Sequence, residues 1–112
     1  MSEGNEVVVN GTTYKAATPQ AVVRILEESR LSKKRLRIFY GDVKTGKDWG
    51  DPPMRGHVGR STGSSKIPLL IRTRRSTGGE GILDHCIIRI EESAGGRCLY
   101  KVQVGDSYEI SL

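Results

Sequence analysis

Two stretches of this chain are dense in groups that hold phosphate oxygens: Gly59-Arg60-Ser61-Thr62-Gly63-Ser64-Ser65-Lys66 and Thr73-Arg74-Arg75-Ser76-Thr77-Gly78-Gly79. Glycine lets backbone approach a ligand closely, hydroxyls and backbone N–H groups donate to its oxygens, and guanidinium or ammonium groups neutralise them. Both stretches lie between Pro52 and Gly79, a window without Asp or Glu that carries Arg55, Arg60, Lys66, Arg72, Arg74 and Arg75. That window supplies six positive charges, whereas the whole chain is +5, so the remainder is about neutral. A concentrated basic field attracts anions. The expected ligand-binding set is Arg55, His57, Arg60, Ser61, Thr62, Gly63, Lys66, Arg72, Arg74 and Arg75. Trp49 joins it as an indole that can stack on a base or pack as a lid. The Gly59–Lys66 segment reads equally as an exposed connector between strands.

Other chemistry is less well supported. Gly41-Asp42-Val43-Lys44-Thr45-Gly46-Lys47 has P-loop glycine and lysine spacing. Asp48 then stands where Ser or Thr must bind Mg²⁺, and Trp49-Gly50-Asp51-Pro52-Pro53 cannot open the necessary helix. A turn is expected there. Asp42, Asp48 and Asp51 lack EF-hand spacing and read as turn residues. On a strand His85 and Cys86 face opposite sides, and Cys86 and Cys98 fall out of register across a turn centred on Gly95. Neither a zinc site nor a disulfide is expected, and both thiols are expected to be reduced and buried. No cofactor and no catalytic residue is identified. His57 or His85 with the loop aspartates are the acid–base candidates for a phosphoester-acting enzyme, the alternative to a binding protein.

The elements that must position these groups follow from pattern. Asn10-Gly11 between Val7-Val8-Val9 and Thr12–Ala16 predicts an N-terminal hairpin over residues 1–16. Thr18-Pro19 predicts a helix start, and Ala21, Val22, Ile25 and Leu26 share one helical face, giving a helix over 18–31. Basic Lys33-Lys34-Arg35 suits its C-terminal end. Leu36, Ile38 and Tyr40 alternate with Arg37 and Phe39 and predict a strand, so one of Phe39 and Tyr40 should be core and the other accessible. Further strands are expected over a short Gly56–Gly59 run, Ile67–Thr73, Ile82–Glu91, Arg97–Val104 and Tyr108–Leu112.

One helix ahead of about five short strands, without crossover helices, predicts a mainly β fold with one N-terminal helix: a small twisted SH3-like or Sm-like barrel over residues 35–112. The order of elements from Thr18 to Val104 resembles that of Sm-like proteins, which implies edge-to-edge assembly and RNA binding. The strings GRSTG, KIPLLI and LDHCII, within Leu36 to Ile90, are similar to those of small uncharacterised proteins of bacteria and their mobile elements. That likeness implies phage or plasmid biology, including proteins that inhibit a host defence protein by direct binding.

At 112 residues the chain has room for one domain and a modest core, and an apolar share of 36% favours oligomerisation, so a homo-oligomer is expected. An acidic start and the lack of a long apolar run predict a cytoplasmic protein with no membrane partner. Aromatics at 5% argue against a platform that stacks several bases. The reading reached is a non-catalytic binding protein for a phosphate-bearing ligand, either nucleic acid or a nucleotide-like small molecule. An acidic protein surface is the alternative partner.

Overall fold

The computed structural model describes residues 6–72 and 79–102; Arg74, Arg75 and the strand expected over Tyr108–Leu112 lie outside them. Asn10 and Gly11 both have positive φ, 50° and 80°, as a two-residue hairpin turn of the favoured hand requires. They join β1 (Glu6–Val9) to β2 (Thr12–Lys15). Helix α1 follows over Gln20–Ser32. Thr18 is not its cap. The Thr18 hydroxyl donates to Asp84 Oδ2 at 2.7 Å, and the same oxygen accepts the Lys15 N–H at 2.7 Å. A buried carboxylate distant in sequence thus fixes the corner between hairpin and helix. At the other end Lys33 takes the left-handed conformation and its N–H closes on the Ser29 carbonyl at 2.7 Å.

The remaining strands are β3 (Leu36–Asp42), β4 (Lys47–Asp48), β5 (Met54–Arg60), β6 (Pro68–Ile71), β7 (Glu80–Gly81), β8 (Ile87–Glu92) and β9 (Cys98–Lys101). They pair antiparallel in the order β7-β6-β5-β3-β8-β9, with β4 folded back on the end of β3. The fold is mainly β with a single α-helix among the described residues. The expected strand over Ile82–Glu91 is interrupted by a 3-10 turn at Asp84–Cys86, because Asp84 turns inward to meet Lys15 and Thr18. The short run at Gly56–Gly59 proves to be the middle of a seven-residue strand. No pairing joins β7 to β9 among the described residues, so the closure of an SH3-like or Sm-like barrel is not found there.

Strand β5 changes partners midway. Met54–Gly56 pair with β3, and His57–Arg60 pair with β6. At the exchange a Cβ on Gly56 would lie 2.3 Å from the Ile71 carbonyl oxygen, so a side chain cannot be accommodated without moving backbone. Beyond Gly56 no strand of the described residues lies on the β3 side of β5, and the Val58 N–H would be left unpaired. Ser29 of α1 takes the strand's place: its buried hydroxyl accepts the Val58 N–H at 3.0 Å and donates to the Lys34 carbonyl at 2.7 Å.

One face of the sheet and one stripe of the helix make the core. Leu36, Ile38, Val58, Leu70, Ile87 and Ile90 cluster with Val22, Leu26 and Tyr14. The Tyr14 hydroxyl donates to Glu27 Oε2, and Arg30 donates to Glu27 Oε1 through Nη2 at 2.9 Å and Nε at 3.2 Å. Burial opposes ionisation of Glu27, but the hydrogen bonds from Arg30 and Tyr14 outweigh it and hold the carboxyl below its usual range. Burial first, then the bond to Glu27, push the Tyr14 hydroxyl well above its own.

Replacing Ser29 by Ala should cost about 1–3 kcal/mol in urea unfolding, since it leaves a buried N–H without a partner. The signs of the two shifts also set a pH profile. Glu27, lowered by folding, contributes fully above the ordinary carboxylate range, and its contribution is lost as pH falls through the folded value; Tyr14, raised by folding, contributes fully below about pH 10 and progressively less above it. Glu27→Gln should therefore flatten the acid limb of stability measured by urea titration at successive pH values. An unchanged acid limb would sink this assignment.

Candidate functional site

The described part of the basic window folds into two sites rather than one. Arg55 and Arg60 stand five residues apart on β5, about 17 Å along the strand. At the Arg60 end, Arg60 Nη1 donates to the Asn10 carbonyl at 3.0 Å. The Ser61 N–H donates to the Ile67 carbonyl at 2.9 Å, Ser61 Oγ accepts the Gly63 N–H at 3.1 Å, and the Lys66 carbonyl accepts the Thr13 N–H at 3.0 Å. This stretch is a connector bonded to itself and to β2. Ser61 and Gly63 already use their backbone donors, while Thr62 and Lys66 are exposed beside them.

At the opposite end Arg55 and Arg72 meet Arg35, and with Pro52, Pro53 and Met54 these line a cleft of ≈ 450 Å³. Arg35 Nη1 donates to the Arg72 carbonyl at 2.8 Å, and Arg72 Nη2 pairs with Glu80 at 2.7 Å. Arg55 is exposed and makes no ion pair among the described residues. Arg35 lies outside the acid-free window, where it reads as a complement to the helix dipole. Its signal was the alternation of Arg35, Arg37 and Phe39 against Leu36, Ile38 and Tyr40.

That alternation builds a second feature, continuous with the cleft. Leu36, Ile38 and Ile90 face the core, so Arg37, Phe39, Arg89 and Glu91 face outward. Register sets Arg37 between Arg55 and Glu91, Phe39 opposite Arg89, and Arg89 opposite Lys101. Glu91 holds both neighbouring arginines, Arg37 Nη2 at 3.3 Å and Arg89 Nη2 at 2.5 Å. His57 shares the outward side of β5 with Arg55, and both His57 and Phe39 are half-buried. Arg35, Arg37, Arg55, Arg72, Arg89 and Lys101 therefore outnumber Glu80 and Glu91 along this face and its cleft.

Trp49 stands apart from it. The indole is 50% exposed and lies beside Tyr40, with ring centroids 6.4 Å apart and planes inclined by 33°, at the far end of β3 from Arg35. The P-loop-like run is a hairpin turn whose groups bond internally: Gly46 N–H to the Asp42 carbonyl at 2.6 Å, and Lys44 N–H to Asp42 Oδ1 at 2.9 Å. Asp48 likewise accepts the Gly50 N–H at 2.6 Å. His57 lies level with the start of β3 and these aspartates with its end, so the geometry does not bring His57 to them.

Cys86 is half-buried at the end of the 3-10 turn, its thiol pushed up by burial and then by Asp84. Cys98 is exposed at the start of β9, a correction to the expectation that both thiols are buried, because it sits where the β8–β9 turn enters the sheet edge. A larger cleft of ≈ 510 Å³ separates β1 and β2 from α1. Val7, Val9, Val23 and Leu31 give it apolar walls, and Glu27 in its lining is already bonded to Tyr14 and Arg30. It does not concentrate charge, so size and charge point to different places, and the anion argument rests with the arginines.

No family model, curated protein or solved structure matches the chain. Among the described residues no helix is long and apolar enough to cross a membrane, and no group of three or more His, Cys, Asp or Glu is placed to hold a metal.

The two thiols should differ in reactivity. In native protein at pH 8 a disulfide reagent should label Cys98 well before Cys86, and Cys98→Ser should leave one slow thiol. Equal rates would overturn the placement of Cys86.

Proposed function

We propose that this is a non-catalytic binding protein for a phosphate-bearing ligand, nucleic acid or nucleotide-like, engaged at the arginine cleft. One observation carries the reading: guanidinium groups from three separate segments, Arg35, Arg55 and Arg72, line one open cleft with Glu80 as the carboxylate bonded among them. Like charges converge at a free-energy cost, and a bound anion relieves it. Guanidinium forks match phosphate oxygens two at a time, and Pro52 and Pro53 stiffen the wall beside them.

The succession of helix and antiparallel strands supports the finer reading of an Sm-like or SH3-like protein. Strands β7 and β9, at the two ends of the sheet among the described residues, are where copies would pair into an oligomer. The exposure of Arg55 equally suits an acidic protein surface, the partner expected of a mobile-element inhibitor.

Isothermal titration with pyrophosphate, mononucleotides and short oligonucleotides tests the reading. Arg55→Glu and Arg72→Glu should each weaken binding about 10-fold or more, the loss expected when a charge-assisted hydrogen bond becomes a repulsion. Lys66→Glu, at the other end of β5, should stay within about twofold, because exposed charges more than a Debye length away are largely screened. An equal effect of Lys66→Glu would remove the cleft as the site. Binding to acidic proteins alone would favour the inhibitor reading.

A further inference from the structure

Resting on that reading, we infer that the ligand is a single strand of nucleic acid, which leaves the arginine cleft and crosses the outer face of the sheet to Lys101, with one base on Phe39. The strands β5, β3, β8 and β9 are successive neighbours, with Arg55, Arg37 and Glu91 in one cross-strand row and Phe39, Arg89 and Lys101 in a row two residues along, so the path from Arg55 to Lys101 runs about 16 Å at the usual strand spacing and rise. Successive phosphates of a polymer can follow cations spread over that distance. Small nucleotides are held instead by enclosed pockets that bury most of their surface. This face is open, and its cations stand side by side by register rather than around a cavity.

Phe39 selects among nucleic acids. Tyr14, Tyr40 and Tyr100 belong to or pack against the core, and Trp49 lies beside Tyr40, whereas Phe39 faces outward between cationic neighbours. A ring in that setting offers a stacking surface of a kind used for unpaired bases, and one ring serves one base. Bases inside a duplex are stacked on each other and cannot use it. Glu91 does not occupy its two arginines fully: it meets each of them through Nη2, and Nη1 of Arg37 and of Arg89 makes no hydrogen bond among the described residues. Held in place by one carboxylate, the pair keeps donors for a phosphate passing above it.

Fluorescence anisotropy with labelled dT12, rU12 and a 12-base-pair duplex tests the track, while pyrophosphate titration reports the cleft separately. The single strands should bind at least about 10-fold tighter than the duplex and tighter than pyrophosphate. Phe39→Ala should weaken dT12 binding about 5- to 100-fold, with Phe39→Tyr restoring most of it. Lys101→Glu should make the slope of log affinity against log salt shallower by about 0.7 or more, the value for one phosphate contact on a single strand. Neither change should alter pyrophosphate binding. If dT12 and rU12 bind no tighter than pyrophosphate, or ignore both substitutions, the track is wrong and the cleft reading stands. Equal affinity for the duplex would remove base stacking on Phe39. If neither pyrophosphate nor any oligonucleotide binds, the proposed function fails with the inference, and binding to an acidic protein alone would overturn both.

Discussion

The Ser29 hydroxyl holds together the point where this sheet changes direction. Strand β5 leaves β3 at Gly56, and the next outward-pointing donor on that side, the Val58 N–H, is taken by a helix side chain instead of a strand. An unpartnered buried N–H is costly enough that such an exchange needs a substitute acceptor. Because the same hydroxyl donates to the Lys34 carbonyl, the one contact also fixes the turn from α1 into β3. Arg35 follows immediately, and its guanidinium reaches the Arg72 carbonyl across β5. The shape of the arginine cleft is thus tied to a neutral hydrogen bond at the edge of β5.

Three electrostatic settings occur within this small molecule. Arg30 is committed inside, its charge balanced by Glu27 and buttressed by Tyr14. Arg37 and Arg89 are half-committed, sharing one carboxylate. Among the described residues Arg35 is bonded to the Arg72 carbonyl and to no carboxylate, and Arg55 has no carboxylate partner. Availability to an anion rises as commitment falls, since a guanidinium already matched to a carboxylate would have to give up that partner to take another.

Much of the local structure was legible in the sequence, because the signals are local. Asn10-Gly11 sets the hairpin turn, the spacing of Val22 and Leu26 sets the buried helical stripe, and Asp48 after the P-loop-like run correctly pointed to a turn. The alternation over Leu36–Tyr40 put Phe39 and Tyr40 on opposite faces, and the packing of the core decides that Tyr40 is the one turned toward it. The site was legible only in part. Charge concentrated along the sequence is not concentrated in space when the chain reverses: β5 runs away from Arg55 and β6 returns to Arg72, leaving Arg60, Ser61, Thr62, Gly63 and Lys66 at the far end. Arg35, Arg37, Arg89 and Lys101 were invisible as a group because only pairing register makes them neighbours. The break in the strand over Ile82–Glu91 had the same origin, a long-range bond from Asp84 to Lys15 and Thr18.

A sheet with one buried and one basic face carries an internal conflict. The outer cations repel one another, and that repulsion falls on the same strands whose inner residues make the core. Glu91 lowers it locally by standing between Arg37 and Arg89, and its partial burial strengthens both contacts relative to those in open water. The result is an ordered set of donors rather than a group of mobile surface cations. An anion arriving there meets side chains whose conformational freedom is already restricted, so less is lost on binding. The core residues Leu36, Ile38 and Ile90 alternate with Arg37, Phe39, Arg89 and Glu91 on the same two strands, so the packing that stabilises the fold also fixes the spacing of the charges. Stability and the layout of the basic face are therefore coupled through register: a one-residue slip of β3 against β8 would expose the core and scatter the basic face together.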